Sequence, residues 1–87
     1  MIIKDIVIEN KQGLGVRAAV NLVKLTSRFD ASAKIRIGAN EYNAKSILGI
    51  MSARIRYGET ARFECDGPDE RALMKALTES AARGFEG

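Results

Sequence analysis

The stretch SAKIRIGANEYNAKSILGIM, Ser32 to Met51, changes its hydrophobic period partway along, and that change decides the fold. Ala33, Ile35 and Ile37 alternate with Ser32, Lys34 and Arg36, the pattern of a strand with one solvated face. Gly38-Ala39-Asn40 supplies turn chemistry and leads into a short strand from Glu41 to Ala44. Ser46 then stands before Ile47, Leu48, Ile50 and Met51, which reads as a short apolar helix with a hydroxyl at its N-cap. A hairpin with one polar face, followed directly by an apolar helix, implies an antiparallel sheet with helices on one side.

The flanks extend the same pattern. Ile2 to Glu9 is rich in β-branched residues, with Ile3 and Val7 on one face and Ile2, Ile6 and Ile8 on the other. Asn10 to Gly13 breaks that strand with loop chemistry. From about Val16, Ala18, Leu22, Leu25 and Phe29 recur at helical spacing with Ala19 and Val23 beside them, predicting an amphipathic helix that ends near Arg28. Towards the other end Gly58 closes a loop, and Ala61, Phe63 and Cys65 alternate with Arg62, Glu64 and Asp66 in a last strand. Gly67-Pro68 opens the final helix, with Pro68 near its first position and Asp69 and Glu70 beside its positive end. Leu73, Ala76, Leu77, Ser80 and Ala81 form its inner stripe, and Gly84 ends it. The predicted order is β-α-β-β-α-β-α: an α+β open-faced sandwich, one domain over residues 1–87, with a four-stranded, mostly antiparallel sheet. Periodicity leaves a mixed, ferredoxin-like connectivity open.

Composition narrows the chemistry. Fourteen Lys and Arg against eleven Asp and Glu give a net charge of +3, which is mildly basic. Histidine is absent and Cys65 is the single cysteine, which excludes a Ser-His-Asp triad, a Cys-His nucleophile pair, a His₂Cys₂ zinc site and an intrachain disulfide. The acidic residues form no spaced pair of the glycosidase kind. No stretch reaches the roughly 18 uncharged apolar residues of a membrane span. Lys4-Asp5 puts charge where a signal peptide needs its apolar segment, so a cytoplasmic location is expected. Cys65 falls on the inward side of its strand as a small core residue.

Two segments carry candidate function. Gly13-Leu14-Gly15-Val16-Arg17-Ala18 formally matches G-x-G-x-x-A, but the doubly wound parallel sheet of a dinucleotide site does not fit so short and alternating a chain. Free backbone N–H groups and Arg17 at a helix start can still attract an anion, or they are a plain turn with a solvated arginine. Ser46 is sufficient as an N-cap. A phosphate there, next to Lys45, would create an acidic spot beside more apolar side chains than one buried helix face requires. Arg54, Arg56 and Arg62 with Lys34 and Arg36 raise the question of nucleic acid, yet Glu59, Glu64 and Asp66 lie among them, as on a solvated strand face.

These segments resemble one family, HPr, the phosphocarrier of the sugar phosphotransferase system. Gly13 to Ala19 is similar to its active-site loop, G-L-H-x-R-P-A-A, and Asn43 to Ser52 is similar to its regulatory serine segment in Gram-positive-type systems. The resemblance covers essentially the whole chain and implies the HPr fold. In the family, the loop histidine takes phosphate from Enzyme I and passes it to sugar-specific components. Here that position is Gly15, the helix-starting proline is Ala18, and Arg54 stands where a glycine is usual. The arrangement resembles the histidine-lacking catabolite-repression type, Crh. That resemblance implies a protein without catalysis or cofactor of its own. Ser46 would be phosphorylated by HPr kinase/phosphorylase, and Ile47, Leu48 and Met51, with Arg17, would contact a LacI-type catabolite control regulator. Nucleic acid would be engaged only through that regulator. The alternatives are a diverged phosphocarrier using another residue and an interaction module with neither phosphorylation route.

Overall fold

The computed structural model describes residues 1–86. The elements run β1 (Ile2–Val7), α1 (Val16–Thr26), β2 (Ser32–Ile37), β3 (Asn40–Asn43), α2 (Ile47–Ala53), β4 (Thr60–Asp66) and α3 (Glu70–Ala82). The strands form one sheet in the order β1-β4-β2-β3, and every neighbouring pair is antiparallel. The connectivity left open by periodicity is thereby settled. Each helical crossover, β1–α1–β2 and β3–α2–β4, steps over one strand, so strands that point the same way are never neighbours.

Register sorts the side chains as alternation requires. Ile35 lies opposite both Phe63 and Tyr42, and Ala33 lies opposite Cys65, which puts these residues on one face. There Ala33, Ile35, Ala61, Phe63 and Cys65 are buried together with Ala18, Ala19, Leu22 and Leu25 of α1 and Leu73, Met74 and Leu77 of α3. Burial pushes the Cys65 thiol up to about 11, as expected for a core residue rather than a reactive one. The opposite face is a lattice of charges. Arg62 meets Asp5 at 2.9 Å, Arg36 meets Glu64 at 3.2 Å and Glu41 at 2.7 Å, and Lys34 meets Glu41 at 3.3 Å. The strand cations of this face therefore have carboxylate partners, and each such exposed pair stabilises by only about 0–1 kcal/mol.

Several boundaries differ from the sequence reading: β1 ends at Val7, short of Glu9, β3 ends at Asn43, short of Ala44, and three others differ for a local reason. Helix α1 stops at Thr26, whose side chain is buried and whose hydroxyl donates to the Ala44 carbonyl at 2.9 Å. Strand β3 starts at Asn40, inside the expected turn, because Asn40 pairs with Ile37. Helix α3 starts at Glu70, leaving Pro68 ahead of the helix rather than at its first position. Asp69 sits at the N-cap without capping. Its Oδ2 and Oδ1 accept the N–H groups of Asp30 at 2.9 Å and Ala31 at 2.7 Å, tying the start of α3 to the α1–β2 connection. Gly67 beside it is needed for close approach: a Cβ there would meet the Ala31 Cα at 2.6 Å.

The end of α3 is closed by a Schellman arrangement. The Phe85 N–H donates to the Ser80 carbonyl at 2.8 Å and the Gly84 N–H to that of Ala81 at 2.9 Å, with Gly84 at φ +63°. Phe85 then turns back into the core, its ring centroid 6.3 Å from that of Phe63.

Candidate functional site

Helix α2 is short, and its two ends hold it. Ser46 has extended backbone geometry and its Oγ accepts the Gly49 N–H at 3.1 Å, the cap predicted from sequence. Gly49 lets the helix sit tightly on the end of β3, where a Cβ would come within 2.9 Å of the Asn43 carbonyl oxygen. At the other end Arg54 adopts the left-handed conformation, φ 49° and ψ 51°, and its N–H reaches the Met51 carbonyl at 3.3 Å. An arginine here thus takes the backbone shape that favours glycine.

The helix divides its apolar residues unequally. Ile50 is 1% exposed, whereas Ile47 is 42%, Leu48 80% and Met51 36% exposed. One side chain anchors α2, and three face outward in a contiguous turn. Lys45 does not turn its ammonium into solvent beside Ser46; the Nζ donates to the Phe29 carbonyl at 2.7 Å, near the end of α1.

The glycine loop lies against the residues that follow α2. Gly13 takes φ +71°, and a Cβ there would collide with the Ile55 carbonyl oxygen; the Leu14 N–H donates to that same oxygen at 3.0 Å. The Gly13–Arg17 loop and the exit of α2 are therefore fixed to each other. Gly15 is the N-cap of α1 at φ −79°, and a Cβ built on it meets nothing within 4 Å. Neither packing nor backbone geometry demands glycine at this position. Arg17 is exposed, and its Nε lies 3.6 Å from the Glu86 carboxylate. These residues line an open cleft of about 450 Å³ between Asn10 and Ala18, closed on one side by Glu86.

The last residues are the part of this cleft that sequence reasoning did not find. Asn21 Nδ2 donates to the Phe85 carbonyl at 2.9 Å, and Asn10 Nδ2 donates to that of Gly84 at 2.8 Å. Together with the buried Phe85 ring these bonds place Glu86 beside Arg17. The available signal was an aromatic residue directly after the helix-ending Gly84, where an apolar contact back onto the helix is common. Among the described residues no cluster of three or more Cys, Asp and Glu side chains is arranged to hold a metal ion, and no helix is long and apolar enough to cross a membrane.

Comparison with known proteins places this geometry. The family described as the PTS HPr component phosphorylation site matches residues 2–83. The phosphocarrier protein HPr of Cupriavidus necator is 38% identical over 85 residues, covering 98% of this chain and 96% of that protein. The HPr-like protein Crh of Halalkalibacterium halodurans is 36% identical over 77 residues, covering 88% and 92%. In three dimensions the crystal structure of HPr-C-His from Thermoanaerobacter tengcongensis matches all of this chain and 98% of its own, with a TM-score of 0.94 at 33% identity. The fold and the two linked segments define a small phosphotransferase-system protein. The chain belongs to the HPr family. Proteins of this family carry phosphoryl groups rather than catalyse their chemistry.

Proposed function

We propose that this protein is a regulatory member of the HPr family, switched by phosphorylation of Ser46 and acting through protein partners in carbon-catabolite control. The observation that carries the reading is the absence of histidine from the whole chain, with Gly15 at the family's phosphoacceptor position. A histidine-type phosphoryl relay needs an imidazole nucleophile, and neither Gly15 nor its neighbour Val16 offers one. The glycine is not there for structural reasons, since the position has open space and ordinary φ. What the chain keeps is the serine segment, with Ser46 at the head of a helix whose Ile47, Leu48 and Met51 are turned outward.

In this reading HPr kinase/phosphorylase esterifies the Ser46 hydroxyl. The phosphoserine adds about −1.5 to −2 charges next to the apolar turn, and a LacI-type catabolite control regulator recognises the two together. Arg17 supplies a polar contact from the adjoining loop. The protein acts in the cytoplasm as one domain over residues 1–87, reaching DNA only through the regulator. The Crh of H. halodurans among its relatives supports this assignment, and the phosphocarrier names of the others favour the competing one.

The deciding experiment is intact-protein mass after incubation with ATP, magnesium and HPr kinase/phosphorylase, with Ser46→Ala alongside. One added phosphate on the parent and none on the variant is the expected result. An unmodified parent, with the kinase active on an ordinary HPr, refutes the switch. Labelling by Enzyme I and phosphoenolpyruvate would instead identify a phosphocarrier using another residue.

A further inference from the structure

We propose that the free edge of β1 and the groove beside it form a second docking surface, which accepts an extended acidic segment of a partner protein as an added antiparallel strand. Strand β1 is an outer strand of the sheet, so one row of its peptide N–H and C=O groups lacks a neighbouring strand. Alongside it, two adjoining hollows of about 490 and 310 Å³ share Lys4 and Thr78. Together they follow β1 from Ile2 to Glu9, with α3 from Arg71 to Ala82 as the opposite wall. A backbone edge with a parallel groove is the layout of strand addition: main-chain bonds give affinity, and alternate side chains enter the groove.

Charge selects the occupant. Lys4, Arg71 and Lys75 line the hollow at the Ile2 end, and among the described residues none of them lies within ion-pair distance of a carboxylate. Lys4 donates only to the Thr78 hydroxyl, at 3.1 Å. Glu79 is the single acidic residue in that hollow, while Ile2 and Met74 give it an apolar floor. The other end is lined by the carboxylates of Asp5, which Arg62 holds at 2.9 Å, and Glu9, and by the small side chains of Ala81 and Ala82. An antiparallel strand runs towards the start of β1, so the acidic residues belong in the later half of the incoming segment.

A second copy of this chain fits less well. In the two face-preserving registers that overlap most, self-pairing of β1 sets Lys4 opposite Lys4 or Asp5 opposite Asp5, and directly opposed like charges are destabilising.

The test is a ¹⁵N-detected titration of the full chain with a capped octapeptide that alternates valine with threonine in its first half and valine with glutamate in its second. Expected are amide shifts confined to residues 2–9 and 71–82, and about tenfold weaker binding to Lys75→Glu and to Lys4→Glu. Lys75→Glu alters the helix wall and Lys4→Glu the strand, so a folding defect in one leaves the other informative. Three outcomes would overturn the proposal: no shifts at millimolar peptide, equal binding of a control peptide with lysine in place of glutamate, or shifts centred on α2. Concentration-dependent shifts of β1 without peptide would overturn it in favour of self-association.

Discussion

Replacing Ser46 by alanine removes one hydrogen bond and nothing from the core, so its cost follows from the cap alone. The Ser46 Oγ accepts the Gly49 N–H at 3.1 Å at the head of a seven-residue helix. Losing such a cap costs about 1 kcal/mol, within a range of roughly 0.5–2. For a domain of this size that lowers Tm by about 4–8 °C. The loss is also local: the Gly49 amide should exchange with solvent about fivefold faster, the factor that corresponds to 1 kcal/mol. Ser46→Asp keeps an acceptor on the Gly49 N–H and adds negative charge at the start of α2, so it should melt within about 0.5 kcal/mol of the parent. Thermal melts by circular dichroism with amide exchange on all three proteins provide the test. An unchanged Tm in Ser46→Ala would show that Ser46 does not cap α2. Equal, large losses in both variants would show that the hydroxyl has a structural partner other than Gly49.

Three further outcomes can be measured on the same instruments. Arg54→Gly relieves a left-handed arginine at φ 49°, so it should raise stability by about 1 kcal/mol, and a lower Tm would contradict the C-cap assignment. Phe85→Ala empties a buried aromatic site against Phe63 and should cost about 3–5 kcal/mol, while NMR should show Glu86 released from Arg17; a loss below about 1.5 kcal/mol would mean that the C-terminal turn is not part of the core. Acid titration should destabilise the fold, because the Asp69 carboxyl is held below its ordinary value, chiefly by the Asp30 N–H, Glu70 by the Gly67 N–H, and Asp5 by Arg62. Their folded-state values lie below the unfolded ones, so their contribution is present above the ordinary carboxylate range near pH 4 and is lost as pH falls through and below it. Tm recorded from pH 6 down to 2.5 should fall, and less steeply in Asp69→Asn.

The sequence made visible whatever is written in period and local chemistry. Alternation along Ser32–Ile37 and Ala61–Asp66 assigned the inward faces correctly, and the hydroxyl before Ile47 located the cap of α2. Met74 was missed because its neighbours satisfy the helical stripe without it; it is buried only because α3 lies over the β1 side of the sheet. The carboxylate of Asp69 looked like a helix-start charge, whereas its partners, the N–H groups of Asp30 and Ala31, come from a distant part of the chain. The Lys45 contact was hidden for the same reason: the carbonyl it meets belongs to Phe29, and no local spacing encodes that contact. The aromatic residue after Gly84 hinted that Phe85 folds back onto α3, but nothing local placed Glu86 beside Arg17.

The energetics of α2 bear on why its exposed turn is kept. Ile47, Leu48 and Met51 remain substantially outside the core, although full burial of such side chains stabilises by about 1.5–3 kcal/mol each. A helix needed only to cover the sheet would gain by directing them inward or exchanging them for polar residues. Instead, α2 is held by Ser46 at one end, a left-handed Arg54 at the other and Ile50 between them, an arrangement that leaves the outward turn free to meet another surface. The Gly13–Ile55 contact adds a second element to that surface, since it fixes the Arg17 loop to the exit of α2. A partner that grips the apolar turn therefore finds the arginine already placed, and less ordering is required on binding. On the proposed regulatory function, placing a charge on the most exposed of the three with Leu48→Glu should weaken binding of a LacI-type regulator by about tenfold or more while the melting temperature stays within about 2 °C of the parent. Surface plasmon resonance with Ser46-phosphorylated protein provides the measurement. If Leu48→Glu binds as well as the parent, the exposed turn is not the docking surface.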